Sequence, residues 1–372
     1  MAKKRKKQKL NYDPVNVVAA VRMATEDLTR CLESFDLLNK APAEINSTLI
    51  MVVLPHYMRV LVEADKLRKS LLRDNRSSKF QLPHTDEADQ FEQRMRNRLK
   101  LIDDTSFDVS KMENSLESIV GEFYRQFRQE NTGLKKLFQT DLGIYLVDKH
   151  PVGANFTVTF HLGYDSTQDM ESKHLEKLSA DYGRDLVVLF GIFSNQLEVP
   201  TAPKGLGIHC QVEGKDYKSE RYFGHRYTCD LPLKSKLLLF VTECGVNELL
   251  YVLPQFSSRF CGTYFRQLVV TAYHSLHTLK AVIPVETENS RLEEFRDLIA
   301  NDAVTLFLES KQGKILRDRC MHYLNRDPRY SLDPNNPENS ALSFLWPGQN
   351  MNTAQAAISS YLQKISLALS RL

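Results

Sequence analysis

Cysteine is sparse and unpatterned. Six are scattered over 372 residues, at 31, 210, 229, 244, 261 and 320, with no CxxC pair, so neither zinc-ribbon spacing nor a disulfide framework is present. A reducing, cytoplasmic setting is the expectation. Long apolar runs are lacking too. The strongest, 237–241, is five residues long, against roughly 18–20 for a bilayer-spanning helix, so no transmembrane segment is expected. The basic start runs into Leu10-Asn11-Tyr12-Asp13-Pro14 without the apolar core of a secretory leader. There is no P-loop, no dinucleotide glycine fingerprint and no HExxH, and Gly205-Leu206-Gly207 is only a turn signal. No cofactor and no metal are expected.

An excess of one charge is missing as well. The net charge is +3, and Lys3, Lys4, Arg5, Lys6, Lys7 and Lys9 alone supply six positives, leaving the rest of the chain at −3. The body is therefore not a basic nucleic-acid clamp, and affinity for polyanions is local to the arm at 1–12. That arm reads as a solvated, disordered tail, as a salt-sensitive anchor for RNA, DNA or anionic lipid, or as a nuclear import signal.

Composition is that of a soluble globular protein, with 42% hydrophobic and 26% charged residues, and the length fits two or three domains. We read an α+β chain: a helical region at 13–140, a β-rich domain at 141–255 and a helical bundle at 256–372. In the first region Val17, Val21, Ala24, Leu28 and Cys31 recur at helical steps. Pro42 restarts a helix near Ala43 that continues to about Leu72, the polar stretch 74–85 is a loop, and helices follow at 87–101 and 109–138, with Asp108 or Ser110 as N-cap of the second.

From Leu142 short runs rich in β-branched and aromatic residues predict strands at 144–147, 156–160, 186–190, 206–212, 222–229 and 237–241, with one helix near 168–179. After Pro254 the helical period returns. Phe265, Leu268, Ala272, Tyr273 and Leu276 form one stripe, and Leu292, Phe295, Ile299, Ala303 and Leu306 another. A shorter helix spans 315–324, and a terminal one carries Ile358, Leu362, Ile365, Leu369 and Leu372, giving a four-helix bundle.

Chemistry concentrates at Arg317-Asp318-Arg319-Cys320-Met321-His322. On a helix Asp318 and His322 are i and i+4, so the carboxylate can accept a ring N–H and leave the other nitrogen free to exchange a proton. Arg317, expected near the start of that helix with Gly313 as the break before it, can swing beside the imidazole as a bidentate phosphate donor. A phosphate clamp beside a group titrating near pH 6.5 is the minimum set for metal-free RNA cleavage. By composition a chance R-x4-H arises ~0.6 times, and requiring Asn, Asp or His after the arginine lowers this to roughly 0.1.

Arg317-Asp318-x-x-x-His322 resembles the R-(N/D/H)-x-x-x-H motif of HEPN domains (higher eukaryotes and prokaryotes nucleotide-binding), and the flanking Ile315-Leu316, Tyr323, polar loop and amphipathic last helix fit as well. The resemblance covers about 257–372. It implies a small helical bundle that homodimerises with facing motifs and acts as a metal-independent endoribonuclease. It also implies a toxin, abortive-infection or other antiviral defence setting, held in check by an inhibitory partner or a trigger. Arg317 would hold the phosphate, His322 would be general acid/base and Asp318 would orient it. Arg319 stands close by, where a second cation lowers the histidine pKa or contacts RNA. The alternatives are ordinary surface ion pairs, or a HEPN-like bundle kept as a non-catalytic dimerisation or nucleic-acid-binding module.

Weaker features lie elsewhere. The stretch 215–227 interleaves bases, Arg221 and Arg226 among them, with aromatics that could stack RNA, although a hairpin with one wet face explains it more simply. His209, Cys210 and Cys229 lack a fourth ligand of convincing spacing and read as structural. His274 and His277 read as packed bundle histidines, placed where either could approach the motif.

Overall fold

The computed structural model describes residues 13–71, 86–104, 109–129, 133, 139–164, 172–194, 208–227, 231–256, 261–283, 290–324 and 331–372. The basic arm, the polar stretch 74–85 and Cys229 lie outside these residues.

Asp13 opens helix α1 (Pro14–Lys40): its carboxylate accepts from the Val15 N–H at 3.0 Å, and Pro14 sits where its missing N–H costs nothing. After Ala41-Pro42 the chain restarts as α2 (Ala43–Leu71), close to the expected span. Then come α3 (Asp86–Asp104) and α4 (Ser110–Tyr124), which continues as a π turn over Arg125–Gln129. The N-cap of α4 is Val109, which offers no side-chain acceptor, so Ser110 does not cap it.

The middle of the chain is mostly helical, which corrects the β-rich reading. Strands β1 (Leu142–Val147), β2 (His150–Ala154) and β3 (Val212–Tyr217) form one antiparallel sheet in the order β2-β1-β3. The β1–β2 turn places Asp148 and Lys149 at φ 47° and 70°, the left-handed pair that suits the twist of a hairpin. Four other runs expected as strands are helical: 156–160 in α5 (Asn155–His161), 186–190 in α6 (Ser172–Ser194), 222–225 in α7 (Ser219–His225) and 237–241 in α8 (Leu233–Asn247). The stretch 215–227 is accordingly a strand followed by a helix, not a hairpin. Leu237, Leu238, Leu239 and Phe240 are all essentially inaccessible; a segment buried on every side has no polar face to mark its period.

Beyond α8 a π turn (Glu248–Val252) and a 3₁₀ turn (Leu253–Gln255) lead to α9 (Cys261–Val282). The second expected bundle helix is two, α10 (Ser290–Asn301) and α11 (Ala303–Glu309). Asp302 divides them: its carboxylate accepts from the Val304 N–H at 2.9 Å and holds Lys364 at 2.7 Å, so Leu306 ends up 59% exposed rather than in a stripe. With α12 (Lys311–Met321), α13 (Pro337–Leu345) and α14 (Met351–Arg371) the C-terminal part holds six helices among the described residues, not four. α9 packs on α1, α8, α12 and α14, and one continuous hydrophobic core runs from Ala19 to Leu372.

Two helical stretches, Ala43–Leu71 and Leu233–Gln255, are long and apolar enough by length and composition to cross a membrane, a property the search for unbroken runs overlooked. In the second, 67% of the apolar window is buried inside the fold, against 44% in the first, so the second is placed as a core helix.

Candidate functional site

Helix α12 begins at Ser310, whose hydroxyl accepts from the Gly313 N–H at 3.0 Å. Gly313 is therefore inside the helix, and Arg317 lies past its middle rather than at its head. The helix ends at Met321. His322 is extended, with φ −119° and ψ 123°, although its N–H still reaches the Asp318 carbonyl at 3.0 Å. Two tertiary anchors explain the exit: the His322 ring is held by Glu63 of α2, and the Tyr323 hydroxyl donates to Asp27 Oδ2 of α1 at 2.7 Å.

Asp318 and His322 are consequently not the orienting pair expected from their spacing. The Asp318 carboxylate stands 3.2 Å from Arg317 Nη1 and is half exposed. The carboxylate at the imidazole is Glu63, with Oε2 3.0 Å from Nδ1. Glu63 is 7% exposed, whereas the His322 side chain is 43% exposed. Burial acts to raise the Glu63 pKa, but the hydrogen bond and charge of His322, together with Lys66, outweigh it and hold the carboxyl below its ordinary range. An ionised carboxylate only accepts, so the ring proton belongs on Nδ1, leaving Nε2 as the basic nitrogen.

Arg317 does not swing beside the imidazole. Its side chain is 8% exposed, its guanidinium lies 4.5 Å from the centre of the Tyr273 ring of α9, and Nη1 contacts Met321 Sδ at 3.6 Å. Its charge is felt by Asp103, His274 and His277, so it faces the histidines of α9 rather than His322. His274 Nε2 is 3.2 Å from Asp103 Oδ1, yet burial keeps its pKa below the ordinary value. Arg319 is buried at 6% exposure, which removes it from any RNA-facing surface in this chain.

Beneath the site Arg266 of α9 is enclosed by Asp27, Glu338 and Glu26, a buried ion cluster that ties α1, α9 and α13 to the Tyr323 end of α12. Of the weaker candidates, Arg226 is committed: it pairs with Glu243 and lies over the rings of Tyr222 and Tyr227. Arg221 is exposed on α7. His209 is exposed and Cys210 half-buried, and among the described residues no three His, Cys, Asp or Glu side chains converge as a metal site.

Glu63 is the residue that local reasoning could not find. It lies 259 positions from His322, and its only advance signal is an acidic residue within the apolar pattern of α2. Comparison with protein-family models, with curated proteins and with solved structures found no match.

Proposed function

We propose that the chain is a metal-independent endoribonuclease in which His322 moves the proton and Glu63, rather than Asp318, orients it. One observation carries this reading: a half-exposed imidazole is fixed through Nδ1 by a buried, ionised carboxylate, with Nε2 left available. In that arrangement Nε2 takes the proton of a ribose 2′-OH as the 2′-oxygen attacks phosphorus. The P–O5′ bond then breaks, and a protonated histidine returns a proton to the departing 5′-oxygen. Glu63 stabilises the imidazolium between the two transfers. RNA as substrate, a homodimer with facing motifs and a defence setting with an inhibitor or trigger come from the HEPN resemblance of Arg317 to His322.

Arg317 takes a different role here from the phosphate clamp of the motif. Stacked on Tyr273 and closed in by Met321, it positions α12. This burial also favours a second reading, in which the helical bundle is a non-catalytic dimerisation or nucleic-acid-binding module.

RNA incubated in EDTA with wild type, His322→Ala, Glu63→Gln and Arg317→Ala separates the two. Proton transfer typically contributes ~10²–10⁴ in rate, so the nuclease reading requires cleavage that His322→Ala abolishes and Glu63→Gln slows in folded protein. Equal cleavage by all four, or none by wild type as purified or as a dimer, leaves the module. Size-exclusion chromatography with light scattering gives the oligomeric state.

A further inference from the structure

A second polar site lies deeper in the fold. A partly open cavity of about 150 Å³ lies among α2, α3, α5, the α8–π-turn segment and α9. A cavity of this size lined by aliphatic side chains stays dry and admits a benzene-sized molecule. Here apolar side chains such as Leu99 and Leu249 share the lining with Arg59, Arg98, His56, His161, Glu248 and Gln267.

Their bonding is incomplete in a specific way. Arg59 makes no hydrogen bond or ion pair with any described residue, although its charge acts on Glu248, His161 and His56. Glu248 opens the π turn, a helix irregularity often found at functional sites, and its buried Oε1 has no partner. The guanidinium and the carboxyl thus sense each other without pairing. Gln267 is 8% exposed; its Nε2 meets His56 Nε2 at 2.5 Å, and its buried Oε1 has no partner. Arg98 spends Nη1 on Ser115 Oγ at 2.7 Å and holds its guanidinium 5.0 Å from the Phe160 ring centre.

The charges do not cancel. Burial pushes the Glu248 carboxyl up to about 8, so near neutral pH it is largely an O–H donor. Burial, reinforced by Arg59, drives His161 down to about 4 and His56 well below its usual value, so both are neutral. Asp103, an ionised carboxylate not in the lining, stands 3.2 Å from Nε2 of the lining residue His274. Arg59 and Arg98 therefore share this lining with no ionised carboxylate, and Gln267 Oε1 remains an unpartnered acceptor. An oxyanion satisfies the donors, but Gln267 Oε1 needs a proton from it.

We infer that this cavity binds inorganic phosphate, which retains a P–OH in both of its anions near neutral pH, whereas a phosphomonoester is then mostly a dianion without one. Its oxygens would accept from Arg59 and the Glu248 carboxyl, and its hydroxyl would donate to Gln267 Oε1. Sulfate is fully ionised at neutral pH and lacks that donor, and a carboxylate lacks it too.

The test is calorimetric titration and thermal melting of the full chain at pH 7 and fixed ionic strength, with inorganic phosphate, glycerol phosphate and sulfate as probes. Saturable one-to-one binding of inorganic phosphate, at least about tenfold tighter than sulfate and tighter than glycerol phosphate, is expected. Arg59→Met should bind at least about tenfold more weakly. Because Arg59 makes no hydrogen bond or ion pair with a described residue, this variant should melt close to wild type without phosphate. Sulfate or glycerol phosphate binding as tightly as inorganic phosphate, Arg59→Met binding unchanged, or no binding of inorganic phosphate overturns the assignment. Binding by the basic arm would survive Arg59→Met, so it counts against the cavity.

Discussion

A histidine is useful as a proton carrier when one ring nitrogen is committed and the other is not. At His322 that commitment comes from Glu63. Glu63→Gln keeps a side chain of the same size but removes the charge that stabilises the imidazolium, so RNA cleavage should fall roughly 10- to 100-fold, with the loss in kcat. Asp318→Asn touches only the Arg317 edge and should leave the rate within a few-fold. The reverse order, measured on folded proteins, would restore Asp318 as the orienting residue. Stability should follow pH in parallel. The Glu63 pKa is depressed in the fold, so its contribution is present above its unfolded value near 4.5 and is lost as pH falls through the lower folded value. Glu63→Gln should therefore flatten the acid limb of a melting-temperature profile. The sequence made Arg317, Asp318 and His322 visible as a group because they are adjacent. It hid which carboxylate meets the ring, because that depends on how α2 crosses the end of α12.

At the scale of elements, two glycines in helices should respond oppositely to alanine. A Cβ on Gly313 would lie 2.2 Å from the Phe307 carbonyl oxygen and 2.7 Å from Leu308 Cα, both backbone atoms that cannot turn aside. Gly313→Ala should therefore cost at least ~1–3 kcal/mol in urea denaturation and disturb the end of α12 that delivers His322. Gly121, in the interior of α4, has nothing within 4 Å of its Cβ position and is exposed. Gly121→Ala should stabilise by ~0.5–1 kcal/mol. A neutral Gly313→Ala would mean that α11 and α12 approach less closely than the structure has them.

Helices such as α1, α2 and α14 were legible because each keeps a polar face, so the 3.6-residue period survives in the sequence. In α8 the run Leu237–Phe240 is buried on all sides, and β-branched or aromatic content then imitates a strand. The division between α10 and α11 was invisible for another reason: Asp302 acts as both a cap and an ion-pair partner, and the apolar spacing runs through it undisturbed.

For the whole molecule, the buried titratable groups set a pH of greatest stability. His161 and His277 are both held down to about 4, mainly by burial, so below pH 6.5 the unfolded chain takes up protons that the fold resists. Stability therefore falls as pH drops from 6.5 toward 4. Glu248 acts in the opposite direction. The unfolded chain releases its proton near 4.5, while the fold keeps it until about 8, so stability falls as pH rises across that interval. His56 and His274, also lowered mainly by burial, add to the acid slope, so below 6.5 the histidines outweigh the one carboxyl. Above about pH 7 the carboxyl acts without them, at up to ~1.4 kcal/mol per pH unit. Melting temperature in phosphate-free buffer should thus peak near pH 7 and decline toward pH 8. Glu248→Gln should remove the decline on the alkaline side and leave the acid side standing. If phosphate occupies the cavity, adding it at pH 8 should recover part of the lost stability in wild type, because an anion beside Glu248 favours the protonated carboxyl, and should recover none in Arg59→Met. A wild-type profile flat between pH 7 and 8 would mean that Glu248 is ionised in the fold and that its charge is balanced by Arg59 after all.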